Sequence, residues 1–181
     1  MKQGHQQSPP PVDAADLVTK AYGDANYATG VAPDYLTAAL TANQVTNLAV
    51  GNHIEFNASS RRGTSIALAA GGGQASGLFT LQPGKTYEII SHAMGVTNEG
   101  HAWFQWTDDL DDSPLVDDTG VVAPTCHVCD QGTSVSGDNT TMSVSVIVFT
   151  PLIETTIKLD VTISTNLTRW DTACRVLIKE L

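Results

Sequence analysis

Two runs of alternating apolar residues in the last third of the sequence restrict the chain to a β fold. Every second residue is apolar in both runs, which comprise Met142, Val144, Val146 and Val148, and then Ile157, Leu159, Val161 and Ile163. A period of two matches the pleat of a strand, where successive side chains point to opposite faces, and does not match a helix. Pro151 lies between the runs and indicates where one strand ends, because proline has no amide hydrogen to donate. The two runs therefore predict two half-buried β-strands.

The same pattern recurs in shorter stretches from residue 51 onward. HIEFN alternates Ile54 and Phe56 with polar residues, and KTYEIISHAM repeats the alternation around Tyr87 and Ile89. Further strands are predicted at residues 64–70, 78–81, 102–107, 121–128 and 174–181. Turn residues separate these segments, and no crossover helix lies between them. The pattern predicts an all-β domain, an antiparallel jelly-roll sandwich, over residues 51–181.

Residues 1–50 have a different composition and are predicted to form an N-terminal arm. From residue 12 the segment is rich in Ala, Thr, Asn and Asp, with few large apolar residues. Asp13 can cap a short helical turn, and Pro33 with Asp34 can begin a second helix. We therefore expect an extended, partly helical arm in front of the sandwich.

The second helix, predicted over Tyr35–Val50, has too thin an apolar seam to be stable on its own. Its seam contains Leu36, Leu40 and Val50, and asparagines occupy the positions between them. Two interpretations stay open. Copies of the segment can form a coiled coil in which asparagine sets the register, or the segment is an irregular arm that winds over its own or a neighbouring domain.

Composition excludes several classes of partner. The formal net charge is −10, and nine scattered Lys and Arg residues provide no basic surface for nucleic acid. No apolar run approaches the roughly 20 residues that cross a bilayer, so we expect no membrane partner. The start, MKQGHQQSPPP, lacks the apolar core of a secretory signal, and three cysteines fit free thiols in a reducing compartment. We therefore expect synthesis in the cytoplasm without export.

Two motifs invite a metal interpretation. CHVC places Cys126 and Cys129 at a zinc-ligand spacing, but no second Cys/His pair has the usual spacing, so unliganded thiols are the expectation. The acidic run Asp108–Asp118 contains six aspartates but lacks the ligand spacing and central glycine of an EF-hand loop. A solvated loop is favoured over a calcium site. A third possibility is that copies of this loop share a cation in an oligomer. We expect no metal and no cofactor.

The segment HAWFQW concentrates Trp103 and Trp106. Tryptophan can stack on sugars or mark a protein interface, but alternate residues of a strand face opposite ways, and core packing is favoured for one set. Neither a Ser-His-Asp arrangement nor an isolated pair of catalytic carboxylates is recognisable. The sequence therefore predicts that the protein is not an enzyme.

The N-terminal stretch DAADLVTKAYGDAN resembles a segment of the form vTKaYVDa that recurs in virion proteins of tailed bacteriophages, particularly fibres and other trimeric exterior proteins. The matching residues are Asp16, Thr19, Lys20, Ala21, Tyr22 and Asp24. Gly23 departs from the pattern, which usually has an apolar residue there.

A second resemblance concerns the start of the predicted sandwich. GNHIEFN followed by GLFTLQPGKTYEI is similar to the opening strands of tumour-necrosis-factor-like and C1q-like jelly rolls, including those on phage and spore surfaces. The match is carried by Gly77, Phe79, Leu81, Pro83, Gly84, Lys85 and Tyr87.

Together the two resemblances imply a homotrimer with a jelly roll and an arm. The leading hypothesis is a virion structural protein, a capsid decoration or cement protein on the capsid exterior, whose arm binds the major capsid protein. The candidate residues for capsid or trimer contacts are Lys20, Tyr22, Asp24, Tyr27, Leu36 and Leu40. The alternative is a receptor-binding knob of a tail or head fibre that recognises a host glycan or protein through Trp103 and Trp106, and a carbohydrate-active enzyme on the same scaffold is a weaker third hypothesis.

Overall fold

The structure, a computed structural model, describes residues 32–69, 76–129 and 139–181. Those residues form strands and turns, and they contain no helix that is long and apolar enough to cross a membrane. The strands are β1 (Tyr35–Ala39), β2 (Ala58–Arg62), β3 (Ile66–Ala69), β4 (Leu78–Leu81), β5 (Tyr87–Asp108), β6 (Cys126–Cys129), β7 (Asn139–Phe149), β8 (Thr155–Trp170) and β9 (Arg175–Glu180). All pairings are antiparallel, which confirms the predicted all-β antiparallel architecture.

The long strand β5 belongs to two layers. Its first half, from Tyr87, is hydrogen-bonded to β7 on one side and β9 on the other, and β1 and β2 extend this layer in the order β2-β1-β9-β5-β7. Its second half, from His101, pairs with β6 and β8, and β4 and β3 extend a second layer in the order β3-β4-β8-β5-β6. We call these layer A and layer B.

Aromatic side chains fill the space between the layers. The ring centroids of Phe79 and Trp106 lie 5.7 Å apart and those of Phe104 and Trp170 lie 5.9 Å apart, both in edge-to-face geometry. The indole Nε1 of Trp106 donates to Oγ of Ser91 over 3.2 Å, which joins the two halves of β5 across the sandwich. The core therefore lies between layers A and B.

The predicted helix over Tyr35–Val50 is wrong. Tyr35–Ala39 is strand β1, between β2 and β9, and the compact unit of the chain begins at Pro33. Leu36 and Leu40 are four residues apart, which is two periods of a strand as well as about one turn of a helix, and buried Ala38 between them completes the strand pattern. Residues 33–50 are thus part of the sandwich unit, and a coiled coil through Leu36 and Leu40 is excluded.

Two other predicted strands are shorter than expected. Of the strand predicted at residues 121–128, only the part from Cys126 onward is a strand, β6. Residue 122 lies in the preceding loop, where it forms an isolated bridge with residue 116. In HIEFN, Ile54 and Phe56 are buried as the alternation predicts, but pairing is limited to a bridge between His53 and Asp160.

Gly100 lies where β5 passes from layer A to layer B. The pairing of β5 with β8 shifts register between Val96 and Thr97 and again between Thr97 and His101, which marks an irregularity in the ladder. A Cβ atom at Gly100 would lie 1.9 Å from the carbonyl oxygen of Thr165. Because that oxygen belongs to the backbone of a paired strand, it cannot move aside without disturbing the sheet.

We predict that Gly100→Ala lowers the free energy of unfolding by at least about 2 kcal/mol, since the added methyl group overlaps the Thr165 backbone. Urea unfolding of purified protein measures the change. Gly84→Ala is the matched control, because a Cβ there meets no atom within 4 Å and the change costs only the left-handed backbone strain, about 1 kcal/mol. Equal destabilisation by the two substitutions would contradict the steric role of Gly100.

Candidate functional site

The outer face of layer A carries a row of exposed apolar side chains on β7, which we call the ridge. It consists of Met142, Val144, Val146 and Val148, which are 59%, 47%, 50% and 37% exposed. The residues between them face inward, as shown by Ser145 and Ile147, which are buried. The predicted alternation is therefore confirmed in β7, but its continuous apolar face points out of the sandwich.

Neighbouring strands continue this apolar surface. In register with the ridge, β5 places half-buried Ile90 opposite Val146 and half-buried Met94 opposite Met142. On the other side of β5, half-buried Leu177 of β9 lies opposite Ile90. Directly opposed residues of paired strands share a face, so these side chains adjoin the ridge, while His92 and Glu88 of β5 lie on the same face opposite Val144 and Val148. Contiguous apolar surface of this kind marks a site of interaction with another molecule.

The opposite edge of the same face is a groove lined by small side chains, which we call the small-residue groove. It has a volume of about 250 Å³ and lies over β1 and β2, where Thr37 is paired with Ser60 and Ala39 with Ala58. Arg175 of β9 borders it, and its guanidinium donates to the backbone oxygens of Thr172 and Cys174. Layer A therefore presents large apolar side chains at one edge and a depression at the other.

The predicted arm contacts are divided between two parts of the chain. Lys20, Tyr22, Asp24 and Tyr27 lie outside the described residues. Leu36 and Leu40 are within them and are only 0% and 4% exposed, because they lie on the inner face of β1. The assignment of Leu36 and Leu40 to an intermolecular surface is therefore corrected: both fill the core.

The two receptor-binding candidates face opposite sides of layer B. Trp106 is fully buried in the core, as favoured from the alternation, and cannot contact a ligand there. Trp103 points outward, is 37% exposed, and lies opposite Ile163, which is equally exposed. Of the two tryptophans, only Trp103 is available at the surface.

The acidic loop after β5 uses its carboxylates to hold its own conformation. Nζ of Lys158 lies 2.5 Å from Oδ1 of Asp112 and 3.4 Å from Oδ1 of Asp109. Asp118 accepts hydrogen bonds from the backbone amide and hydroxyl of Thr150 at 2.8 and 2.6 Å. These carboxylates thus take protein donors as partners, and in the part of the chain that the structure describes no three His, Cys, Asp or Glu side chains are grouped as metal ligands.

The two cysteines whose side chains the structure describes are both buried. Sγ of Cys126 is buried and lies 3.2 Å from the carbonyl oxygen of Val144, to which it donates. Cys174 is fully buried, and burial raises the pKa of its thiol to about 11, so the thiolate form is disfavoured. The side chain of Cys129 lies outside the described part of the structure.

Asp34 fixes the point at which the chain enters β1. Its Oδ2 accepts hydrogen bonds from the backbone amides of Thr64 and Ser65, each at 2.8 Å, and its carbonyl oxygen accepts one from Glu180 over 2.8 Å. The bond from the Ser65 amide is the main cause that holds the pKa of Asp34 below its usual 3.8. A Cβ at Gly63 would lie 1.7 Å from Oδ1 and would displace the carboxylate, and the φ of +81° at this position also favours glycine.

We predict that Asp34→Asn weakens the acid dependence of stability. A carboxylate with a lowered pKa stabilises the fold above its unfolded pKa, and this contribution disappears as pH falls through the folded pKa. The variant is therefore less stable near neutral pH, and its free energy of unfolding changes less with pH below about pH 4. Urea unfolding across this range measures both effects, with Thr64→Ala as a control that keeps the backbone donor. Parallel pH profiles for wild type and Asp34→Asn would contradict the assignment.

Comparison with protein-family models and with curated proteins found no match. Among solved structures, the chain is similar to the globular domain of the zebrafish complement 1qA protein, at 12% identity over 82% of this chain and 96% of that chain, with a TM-score of 0.50. It is also similar to murine APRIL, at 11% identity over 82% and 98% of the chains, and to Eiger TNF from S. frugiperda, at 7% identity over 82% and 91%, both with a TM-score of 0.51. At these identities the likeness shows the fold alone, and it confirms the predicted jelly roll of the TNF and C1q type.

Proposed function

We propose that this chain is a homotrimeric, non-catalytic structural protein of a bacteriophage virion, which decorates the capsid exterior and binds the major capsid protein through its N-terminal arm. The proposal that the chain associates with copies of itself rests on the exposed ridge on β7. An apolar surface in water is stabilised when another surface covers it. The resemblance of DAADLVTKAYGDAN to trimeric exterior proteins of phages supports the viral part.

The layout of layer A allows a head-to-tail contact between copies. The ridge and the small-residue groove lie at opposite edges of one face, so the ridge of one copy can occupy the groove of the next. Such a head-to-tail contact uses two different surfaces and, when the rotation between copies closes, generates a cyclic oligomer. Three copies is the number that both sequence resemblances imply.

Burial of the ridge alone is not enough to stabilise an oligomer. Burial of a whole Val or Met side chain contributes about 1.5 to 3 kcal/mol, so covering the exposed half of four of them contributes about 4 kcal/mol. Association of rigid bodies costs at least about that much. We therefore infer that the contact also covers the adjoining Ile90, Met94 and Leu177.

Val146→Glu is expected to convert the trimer to monomer, because a carboxylate in the centre of the ridge would be buried without a partner. Sedimentation equilibrium measures the mass, and circular dichroism checks that the β fold is retained. Val121→Glu is the matched control, since Val121 is 61% exposed in a loop outside layer A. A monomeric wild type, or a trimer that survives Val146→Glu, would exclude the ridge as the contact.

The proposed capsid-binding segment is the arm before Pro33. In the sequence this segment has few large apolar residues with which to form a core of its own, and it contains the matched Lys20, Tyr22 and Asp24 together with Tyr27. An arm that contacts neighbouring capsid subunits stabilises the shell by mass action, since the bound surface exists only after assembly.

Deletion of residues 1–30 is expected to abolish binding to capsids while leaving a folded trimer. Co-sedimentation with purified capsids that lack this protein measures binding, and sedimentation equilibrium of the truncated protein checks the trimer. Val121→Glu in the full-length chain controls for nonspecific loss. Decoration of capsids by the truncated protein would contradict the role of the arm without affecting the self-association proposal.

Trp103 favours a second candidate function, the receptor-binding knob. It is exposed beside Ile163 on the outer face of layer B, and an exposed indole suits a sugar or a protein loop. Copy number separates the candidates, because decoration places hundreds of copies on each particle and a knob places far fewer.

A further inference from the structure

A second group of exposed apolar side chains lies in the loops that follow β5 and β7. It consists of Leu110, in the loop after β5, and Leu152 and Ile153, in the loop between β7 and β8, which are 89%, 91% and 71% exposed. We call it the tip patch. Three large aliphatic side chains this exposed on two neighbouring loops are unusual on a surface that serves only to face water.

Hydrogen bonds and ion pairs hold the loop after β5 against the start of β8, into which the second loop leads. The backbone amide of Asp109 donates to the carbonyl oxygen of Thr156 over 2.9 Å, and Lys158 of β8 reaches across to Asp112 and Asp109. On the second loop, the hydroxyl of Thr155 donates to the carbonyl oxygen of Ile153 over 3.0 Å. The patch is therefore preformed, which reduces the entropy that a ligand must overcome on binding.

A groove of about 260 Å³ separates the loops and has Leu110 and Ile153 in its walls. An engineered apolar cavity of about 150 Å³ in another protein holds a benzene ring, so this groove is large enough for one aliphatic or aromatic side chain. Both of these wall residues are largely exposed, so the groove is accessible from solvent.

The rim of the groove is negatively charged. Asp108 and Glu154 line it, and Asp111 follows Leu110 in the chain. Their carboxylates accept hydrogen bonds from the Leu110 amide, the Gln82 side chain and the Ser113 amide, respectively, and form no ion pair with any residue that the structure describes. Lys158 is the nearby cation, and it is only 7% exposed and engaged by Asp109 and Asp112.

We propose that the tip patch is a docking site for a protein segment in which one large apolar side chain is flanked by Lys or Arg. The apolar side chain enters the groove between Leu110 and Ile153, and the flanking cations lie against the rim carboxylates of Asp108 and Glu154 and near Asp111, which follows Leu110 in the loop. The negative rim disfavours both anionic lipid headgroups and a second copy of this chain, whose net charge is −10. Charge complementarity therefore selects a cationic protein partner.

Two fluorescent peptides of equal length test the proposal on the full-length protein: Lys-Lys-Leu-Phe-Lys-Lys and Glu-Glu-Leu-Phe-Glu-Glu. Fluorescence anisotropy is expected to show binding of the cationic peptide, weakened by salt, and at least about tenfold weaker binding of the acidic one. Leu110→Ser and Ile153→Ser are each expected to weaken binding of the cationic peptide about tenfold, because each removes an apolar contact at the centre of the site. Val121→Ser, an exposed site outside the patch, should leave binding unchanged.

A second series separates charge from apolar contact. Asp111→Asn combined with Glu154→Gln should weaken binding a few-fold and reduce its salt dependence, while leaving the groove intact. Absence of binding to wild type, equal binding of both peptides, or unchanged binding to Leu110→Ser and Ile153→Ser would each overturn the proposal. So would a preference for phosphatidylcholine vesicles that depends on Leu110, or loss of self-association in Leu110→Ser, which would identify a membrane or a second copy as the occupant.

Discussion

The position of every candidate surface depends on the hydrogen bonding of β5 in both layers of the sandwich. Its first half lies between β7 and β9, which sets Ile90 and Met94 beside the ridge. In its second half, Trp103 faces outward and Trp106 faces inward. The strand ends at Asp108, and the loop that follows contains Leu110 of the tip patch. A strand that serves two sheets must change its pairing on the way, and the crowded backbone at Gly100 is where β5 does so. The change of pairing around Gly100 thus lets one strand contribute both to the surface beside the ridge and to the loop that carries the tip patch.

The sequence identified the strands better than it identified their faces. An apolar residue at every second position predicts that one face of a strand is apolar. It does not show whether that face packs in the core of the same chain or lies at the surface. In β8 the apolar set at Ile157, Leu159 and Val161 lies in the core, whereas in β7 the equally regular valines lie outside and Ser145 lies inside. The difference arises because β7 places Ile147 and Ser145 against the opposite layer, which depends on long-range pairing with β5. The error over Leu36 and Leu40 has a similar origin, since a spacing of four suits both periods and only the partner strand β9 decides between them.

The candidate sites were harder to predict than the fold because they combine residues that are distant in the chain. Alternation alone indicated that one set of HAWFQW packs inside, and Trp106 does so. By contrast, nothing in the local sequence brings Leu110 near Ile153, and their proximity follows from the pairing of β5 with β8 and the bond between Asp109 and Thr156. The small-residue groove is equally invisible in sequence, since its alanines and threonine come from strands that become neighbours only in layer A.

Charge distinguishes what the two apolar surfaces can bind. Beside the ridge, layer A pairs Glu88 with Lys179, and Lys85 forms an ion pair of 2.5 Å with Glu180. Opposite charges in direct register leave little net field there, so copies of an acidic chain can approach each other on this face without strong repulsion. At the tip, Lys158 is buried under Asp109 and Asp112, and the remaining carboxylates face solvent around Leu110 and Ile153. Like charges around the tip patch repel a second copy of the chain. The ridge and the tip patch are both apolar at the centre, but their electrostatic fields differ. Self-association and partner binding therefore use different surfaces.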